Sequence, residues 1–280
     1  MPLGHAHDPA ALRQRLQQGA LPDAICVTHN ETSTGVIQPL RELSAVIREH
    51  APKALILVDV VTSLAGAELR FDEWDLDYAF AGTQKCLALP PGLGVYAVSD
   101  RALAVADGID ERGFLLDLPK SVKDTNAGKT LATPCVPLVY ALQRQLDRIQ
   151  TEGLEQRWHR HLELQAKTLA WAETKGFTPF VGDSAARSPA PGTFTPRAPG
   201  RAAGLEKNGE VVRAALHQVA GVLHATSSAA GADGDAAPAT HLHARLLIEA
   251  AEKKKRKPGS LSLPLRTTRR TKGAATAFQY

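Results

Sequence analysis

The sequence has few aromatic and sulfur-containing residues. Phenylalanine, tryptophan and tyrosine together make up 5% of the 280 residues, and there are three cysteines and one methionine. Cys26, Cys86 and Cys135 are odd in number and widely spaced, which argues against a disulfide framework and against a zinc site. We therefore expect no bound metal and a reducing compartment.

Long hydrophobic runs and targeting signals are also missing. No apolar run is long enough to span a bilayer. The N-terminus shows no basic segment followed by an apolar one, as a secretory signal would, and the chain does not end in Ser-Lys-Leu. The glycine patterns of dinucleotide-binding and P-loop proteins are absent. These absences predict a soluble cytoplasmic protein with no membrane partner.

The charge is unevenly distributed. Apolar residues make up 44% of the sequence and charged residues 22%, as in an ordinary globular protein, and the formal net charge is +4. Residues 251–280 alone hold nine basic side chains and one acidic one. The rest of the chain is therefore mildly acidic, and only this basic tail gives any reason to expect a nucleic-acid partner. Runs such as Lys253–Lys257 are more often solvated than functional.

Short apolar runs alternate with helical patterns over the first two thirds of the chain. Continuous apolar strands separated by helices predict an α/β fold with a mostly parallel sheet covered on both faces. The predicted strands are residues 24–27, 54–58, 78–81 and 94–98. The predicted helices are residues 8–19, a helix starting at Pro39, and residues 137–151, 154–175, 209–223 and 241–252.

Three of these strands end in polar clusters, namely residues 29–32, Asp59 and residues 83–85. Ligands of such sheets bind beyond the carboxyl ends of the strands, so we expect the clusters to converge. Taken alone, Asp59 would be a capping residue and Lys85 a solvated charge. Together they match the needs of pyridoxal phosphate: a lysine amine that forms a Schiff base with the cofactor aldehyde, and a carboxylate against the pyridine nitrogen. The lysine amine would also move the substrate proton.

Three stretches give this match its specificity. Residues 29–36 (HNETSTGV), 58–64 (VDVVTSL) and 82–92 (GTQKCLALPPG) resemble, in order and spacing, three motifs of the class V aminotransferases of the alanine–glyoxylate and serine–glyoxylate kind. Thr133-Pro134 and residues 152–155 continue the likeness, which covers roughly residues 8–182. The resemblance implies a pyridoxal-phosphate-dependent transferase of fold type I.

The resemblance also implies roles for individual residues. Lys85 falls on the Schiff-base lysine, Asp59 on the partner of the pyridine nitrogen, and Val61 on the apolar residue packed against the ring. Thr32 falls on the hydroxyl that contacts a ring substituent, and Gln84 on the side chain beside the lysine. Thr133 falls where the neighbouring subunit reaches the cofactor phosphate, which implies a homodimer.

The resemblance predicts an incomplete set of domains. We expect a partial cofactor-binding large domain over residues 1–135, connecting helices over 136–182, a degenerate small-domain remnant over 183–252 and a disordered basic tail over 253–280. Two features of the family are not found in the sequence. These are the N-terminal turn that cradles the cofactor phosphate and the arginine that binds the substrate carboxylate. The chain is thus expected to be truncated at the N-terminus and divergent at the C-terminus.

Several functions remain open at this point. The first is transfer of an amino group from alanine or serine to glyoxylate or a similar 2-oxo acid. A cysteine desulfurase would need a histidine where Gln84 stands and a mobile catalytic cysteine. A third possibility is an inactive fragment of the family that dimerises or binds without catalysis, and a fourth is nucleic-acid binding through the tail, which a salt-sensitive DNA complex would reveal.

Overall fold

A computed structural model describes residues 3–174, 176–190, 192–196 and 274–279. The helices in this part of the chain are α1 (Pro9–Gln17), α2 (Leu40–His50), α3 (Asp100–Asp107), α4 (Leu118–Asn126), α5 (Val136–Glu152) and α6 (Leu154–Thr174). The strands are β1 (Ala24–Thr28), β2 (Asn30–Glu31), β3 (Val36–Ile37), β4 (Leu55–Asp59), β5 (Tyr78–Gly82), β6 (Gly94–Ser99), β7 (Phe177–Pro179), β8 (Phe194–Pro196) and β9 (Ala274–Gln279). None of the described helices is both long enough and apolar enough to cross a bilayer.

The helix boundaries follow local chemistry. The Asp8 side chain accepts a hydrogen bond of 2.8 Å from the Ala10 amide and caps α1, which begins at Pro9. Helices α5 and α6 are separated by Gly153, whose φ of 83° lies in the left-handed region that glycine adopts at low cost. The helices and strands predicted within residues 8–174 are confirmed, with ends that differ by no more than two residues.

The main sheet has the strand order β1-β4-β5-β6-β9. Strands β1, β4 and β5 are parallel, with Thr28 opposite Asp59 and Asp59 opposite Phe80. Strand β6 runs antiparallel to β5, and β9 runs antiparallel to β6. The carboxyl ends of the three parallel strands therefore lie at the same edge of the sheet, which is where the polar clusters begin.

Most of the core lies on one face of the sheet. Ile56 and Val58 of β4 are fully buried there against Leu43 and Ile47 of α2, and Ile149 of α5 joins the same cluster. A smaller cluster covers part of the other face. Its residues are Tyr96, Val98, Ala102 and Val122, with Leu55, Tyr78, Leu103 and Leu118 packed against it.

Coverage of the second face differs from the prediction. Continuous apolar strands led us to expect both faces to be covered, but Phe80 of β5 is 40% exposed and Leu57 of β4 is only half-buried. The reason is that α3 and α4 pack over Tyr96 and Tyr78 and do not extend over the carboxyl end of β5. Helices α3 and α4 and the short strand pairs β2–β3 and β7–β8 were not predicted.

The predictions for the C-terminal third can be compared with the structure only in part. The predicted helices 209–223 and 241–252, and most of the predicted small-domain remnant, lie outside the described residues. Within the predicted disordered tail, residues 274–279 form strand β9 instead, with one residue opposite each residue of β6. The free hydrogen-bonding edge of β6 accounts for this difference, because an unpaired edge is a template for another strand.

Candidate active site

The three polar clusters meet at the carboxyl edge of the sheet. Asp59 is the last residue of β4, and Lys85 lies three residues beyond the end of β5, which pairs with β4 in parallel. The chain leaving β1 is tied to the same edge, because the His29 amide donates a hydrogen bond of 2.9 Å to the Asp59 carbonyl. The predicted convergence of the three clusters is therefore observed.

Thr62, three residues after Asp59, contacts Thr32 and the residue that follows Lys85. Its hydroxyl Oγ1 lies 2.5 Å from Oγ1 of Thr32, in the turn between β2 and β3. Its carbonyl accepts a hydrogen bond of 3.2 Å from Sγ of Cys86, the residue after Lys85. Thr62 is buried, with 5% of its surface exposed, and its contact with Cys86 is buried, whereas its contact with Thr32 is half-buried. One residue thus fixes the spacing between Thr32 and the lysine loop.

The Asp59 carboxylate is half-buried and is oriented by the backbone that follows it. Its Oδ1 accepts a hydrogen bond of 2.8 Å from the Val61 amide. Among the residues that the structure describes, no arginine, lysine or histidine forms an ion pair with Asp59. The carboxylate is therefore available to a cationic group of a ligand. Val61 is half-buried beside it.

Lys85 lies in a compact loop between β5 and β6. The Leu89 amide donates to the Thr83 carbonyl at 3.1 Å, and the Ala88 amide donates to the Lys85 carbonyl at 2.8 Å. The Thr83 hydroxyl, on a fully buried residue, donates to the Pro90 carbonyl at 2.6 Å. These bonds hold the backbone of Lys85 while its side chain stays half-buried at the surface of the site.

Two groups near Lys85, the carboxyl of Glu31 and the thiol of Cys86, have pKa values shifted in opposite directions. Hydrogen bonds from the amide and hydroxyl of Ser33 lower the pKa of Glu31, and the positive charge of Lys85 lowers it further against the effect of burial. Burial raises the pKa of the Cys86 thiol to about 11, although Arg157 and Lys85 oppose this shift. Glu31 is therefore ionised at neutral pH, whereas Cys86 is a protonated, buried thiol. A buried thiol of this kind is not a nucleophile.

Gln84 and Thr133 are more exposed to solvent than the other candidate residues. The Gln84 side chain is exposed and folds back over Gly82, with Oε1 where a Cβ on Gly82 would stand. Thr133 is exposed in the segment just before α5. Among the described residues no hydrogen bond joins Thr133 to the cluster around Thr62, so the site brings together Thr32, Asp59, Val61 and Lys85, with Gln84 at its rim.

Sequence reasoning gave Arg157 no role, yet its guanidinium contacts both loops of the site. Nε donates to the Ala65 carbonyl at 3.0 Å, and Nη2 donates to the Cys86 carbonyl at 2.7 Å. A signal for this residue was present in the sequence. Positions 154, 157, 158 and 161 form one face of α6, so Arg157 occupies a core position of that helix.

Comparison with known proteins identifies the family of the chain. The sequence model of the family described as "Aminotransferase class-V" matches residues 6–197, which is more than half of the chain. The protein named soluble hydrogenase, small subunit, of Synechococcus is 41% identical over 60% of the chain and 43% of its own length. The serine–glyoxylate aminotransferase of Arabidopsis thaliana is 36% identical over 55% of the chain and 38% of its own length.

A solved structure shares the fold. The alanine–glyoxylate aminotransferase of Nostoc superposes with a TM-score of 0.65 and 30% identity, over 69% of this chain and 51% of that one. The chain thus spans about half, or less, of the length of these relatives. Its α/β architecture is part of the fold type I transferase fold, and the chain belongs to the class V aminotransferases.

Proposed function

We propose that this chain carries the lysine site of a pyridoxal-phosphate-dependent transaminase, which moves an amino group from alanine or serine to glyoxylate or a similar 2-oxo acid. The observation that carries the proposal is the position of Asp59 and Lys85. They follow adjacent parallel strands at one edge of the sheet, and neither is engaged in an ion pair among the described residues.

The residues of this edge suit the cofactor. When bound, pyridoxal phosphate supplies an electron sink for the carbanion that forms as an amino acid loses its α-proton. Asp59 would hold the pyridine nitrogen in its protonated form, and its carboxylate is oriented for a ligand by the Val61 amide. Val61 would pack against the ring, and the Thr32 hydroxyl, fixed by Thr62, would contact a ring substituent.

Lys85 would bind the cofactor aldehyde through its amine and would then carry the substrate proton. A free lysine amine is mostly protonated at neutral pH, since its pKa is about 10.4. Attack on the aldehyde requires the neutral amine, so the half-buried Lys85 side chain must give up its proton before the bond forms. Gln84 would lie beside the lysine at the rim. The compact loop of residues 83–92 would keep the amine within reach of both the cofactor and the substrate.

The choice of substrates rests on the motifs and on part of the comparisons. The names of similar proteins differ, since one is a serine–glyoxylate aminotransferase and another is called a hydrogenase subunit. The proposal therefore depends on the lysine–aspartate site and not on any one name. We also propose a cytoplasmic homodimer in which Thr133 of one subunit reaches the cofactor phosphate of the other. Light scattering would then give twice the chain mass of 29.9 kDa.

Trapping the cofactor on the protein tests the proposal directly. Purified protein would be mixed with pyridoxal phosphate, reduced with borohydride and mapped by peptide mass spectrometry. We expect the added mass on Lys85, and we expect no adduct on that peptide in Lys85→Ala. The matched control is Lys53→Ala, which removes an exposed lysine from the loop after α2 and should leave the Lys85 adduct unchanged.

Two outcomes decide between the transaminase and an inactive fragment of the family. Addition of alanine or serine to the loaded protein should convert the cofactor to its amine form, followed by absorbance, and glyoxylate should convert it back. A protein that is folded by circular dichroism but gives no Lys85 adduct would refute the transaminase proposal. It would favour the fragment that binds or dimerises without catalysis.

A further inference from the structure

Arg157 connects the two loops that carry the proposed chemistry. It lies on the first turn of α6, and its own amide donates a hydrogen bond of 3.0 Å to the Gly153 carbonyl. Its guanidinium reaches the Ala65 carbonyl, six residues beyond Asp59, and the Cys86 carbonyl, one residue beyond Lys85. A planar guanidinium with several N–H donors in fixed directions can make both contacts at once.

The side chain is buried, and its charge is compensated. Only 3% of the Arg157 side chain is exposed, and Nη1 donates to Oε2 of Glu152 at 2.9 Å. Burial lowers the pKa of Arg157, while the attraction of Glu152 raises it. A buried charge persists only where it is paired and hydrogen-bonded. Because Glu152 satisfies the charge, the other two nitrogens can hold backbone carbonyls of the site.

Both loops have backbone conformations that need support from their surroundings. Ala65 has a φ of 67° and Ala88 a φ of 56°, so each loop contains a left-handed alanine. Residues with a Cβ rarely adopt this conformation, and it persists only where neighbouring contacts enforce it. Arg157 bonds the carbonyl of Ala65 itself and the carbonyl two residues before Ala88.

The loops also touch each other beside the arginine. A Cβ on Gly66 would stand 2.4 Å from Sγ of Cys86, which is closer than carbon and sulfur can approach. Gly66 therefore allows the loop after β4 to lie directly against the lysine loop. The Cys86 thiol donates to the Thr62 carbonyl across the same junction. The two loops that carry Asp59 and Lys85 are therefore in direct contact at this junction.

We infer that Arg157 is a positioning residue that sets the spacing between Asp59 and Lys85 by holding the Ala65 and Cys86 carbonyls from behind the site. This inference rests on the proposed function for its biological meaning. The geometric part of it can be tested without the cofactor, through the reactivity of the Lys85 amine.

The first experiment measures acetylation of Lys85 by competitive labelling with acetic anhydride in the cofactor-free protein, with exposed Lys53 as the internal reference. Arg157→Lys keeps the charge but cannot hold two carbonyls and Glu152 in fork geometry. We expect the Lys85-to-Lys53 labelling ratio and its pH profile to change, by about 3-fold or more, and the affinity for pyridoxal phosphate to fall by about 10-fold or more. All measurements would be made well below the melting temperature of each variant.

Arg160→Lys is the matched control. Arg160 shares the Glu152 carboxylate, but its side chain is 24% exposed, so the substitution perturbs the same ion pair from the solvent side. Its labelling ratio should stay within about 2-fold of wild type. Equal changes in both variants, or a wild-type ratio in folded Arg157→Lys, would show that Arg157 serves only stability and would overturn the inference.

Gly66→Ala provides an independent test if Arg157→Lys does not fold. The added methyl group would push Cys86 away from the loop after β4, and no charged side chain is altered. We expect the same direction of change in Lys85 labelling as in Arg157→Lys. Gly108→Ala, where the nearest atom would be an ordinary 3.5 Å away, is its control. An unaltered ratio in folded Gly66→Ala would contradict the inference.

If wild-type Lys85 forms no adduct with pyridoxal phosphate while these labelling ratios still change, the proposed function fails and the positioning role of Arg157 stands.

Discussion

The hydroxyls of Thr32 and Thr62 lie 2.5 Å apart and join the turn between β2 and β3 to the loop that follows β4. One oxygen donates and the other accepts, and this hydrogen bond orients both hydroxyls. Thr32 is the residue proposed to contact the cofactor ring. Its orientation therefore depends on a second threonine that itself need not touch the ligand.

Replacing Thr62 by valine tests this dependence. The substitution keeps the shape of the side chain and the backbone carbonyl that accepts from Cys86, but removes the hydroxyl. We expect a loss of about 1 kcal/mol in the free energy of unfolding and a several-fold weaker affinity for pyridoxal phosphate. Thr168→Val is the control, because the Thr168 hydroxyl bonds only within α6, to the Leu164 carbonyl, away from the loops of the site. Wild-type cofactor affinity in Thr62→Val would show that Thr32 does not depend on this contact.

Asp59→Asn separates the charge of the proposed pyridine partner from its structural contact. Asparagine can still accept the hydrogen bond from the Val61 amide, so the melting temperature should change little. A charge-assisted hydrogen bond is worth about 1.5–3 kcal/mol, so its loss should lower the amino-transfer rate by about 10- to 100-fold. Single-turnover absorbance with alanine as donor would measure it. A wild-type rate would place the pyridine partner elsewhere.

The convergence of the polar clusters could be predicted from the sequence because the signals for it are local. Apolar runs end at Asp59 and before Lys85, and parallel strands necessarily bring such ends to one edge. Arg157 and strand β9 depend on distant contacts: the arginine reaches a carbonyl 92 residues away, and β9 pairs with a strand far earlier in the chain. No local period signals such a contact, although the core position of Arg157 on α6 was a hint.

A second charged network, at the opposite edge of the sheet, should control acid stability. Asp77 is fully buried before β5 and accepts hydrogen bonds of 2.6 Å from both Arg48 and Arg101, and further ones from the Ile56 amide and the Ser99 hydroxyl. Burial alone would raise the pKa of Asp77, but these four donors outweigh it and hold the pKa below its ordinary value.

The sign of the pH dependence follows from this lowered pKa. A carboxyl with a lower pKa in the folded state adds stability above its unfolded pKa of about 3.9, and this contribution is lost as the pH falls through the folded pKa. We expect Asp77→Asn to be about 1.5–3 kcal/mol less stable than wild type at pH 7 in urea unfolding. The difference should narrow below about pH 4.

Exposed Asp107 supplies the control for this measurement. Asp107→Asn removes a carboxylate at the end of α3 and should change the free energy of unfolding by less than about 0.5 kcal/mol at either pH. A constant gap between wild type and Asp77→Asn from pH 7 to pH 3 would mean that ionisation of Asp77 does not contribute to the acid sensitivity of the fold.

Strand β9 should protect the edge of the main sheet. Each of its residues from Ala274 to Gln279 lies opposite a residue of β6, so its removal would leave the outer backbone groups of β6 unpaired. A chain ending at Gly273 should be at least about 2 kcal/mol less stable, since several backbone hydrogen bonds are lost at about 0.5–1.5 kcal/mol each. It should also aggregate more readily, because an open strand edge recruits other strands.

A chain ending at Gln279 is the appropriate comparison, because it is also shortened but keeps all six residues opposite β6. Thermal unfolding and light scattering of the two proteins at equal concentration would isolate the contribution of the strand. If both have the same melting temperature and the same scattering mass, the edge of β6 does not depend on β9. If only the chain ending at Gly273 aggregates, the C-terminal strand is part of the folded domain.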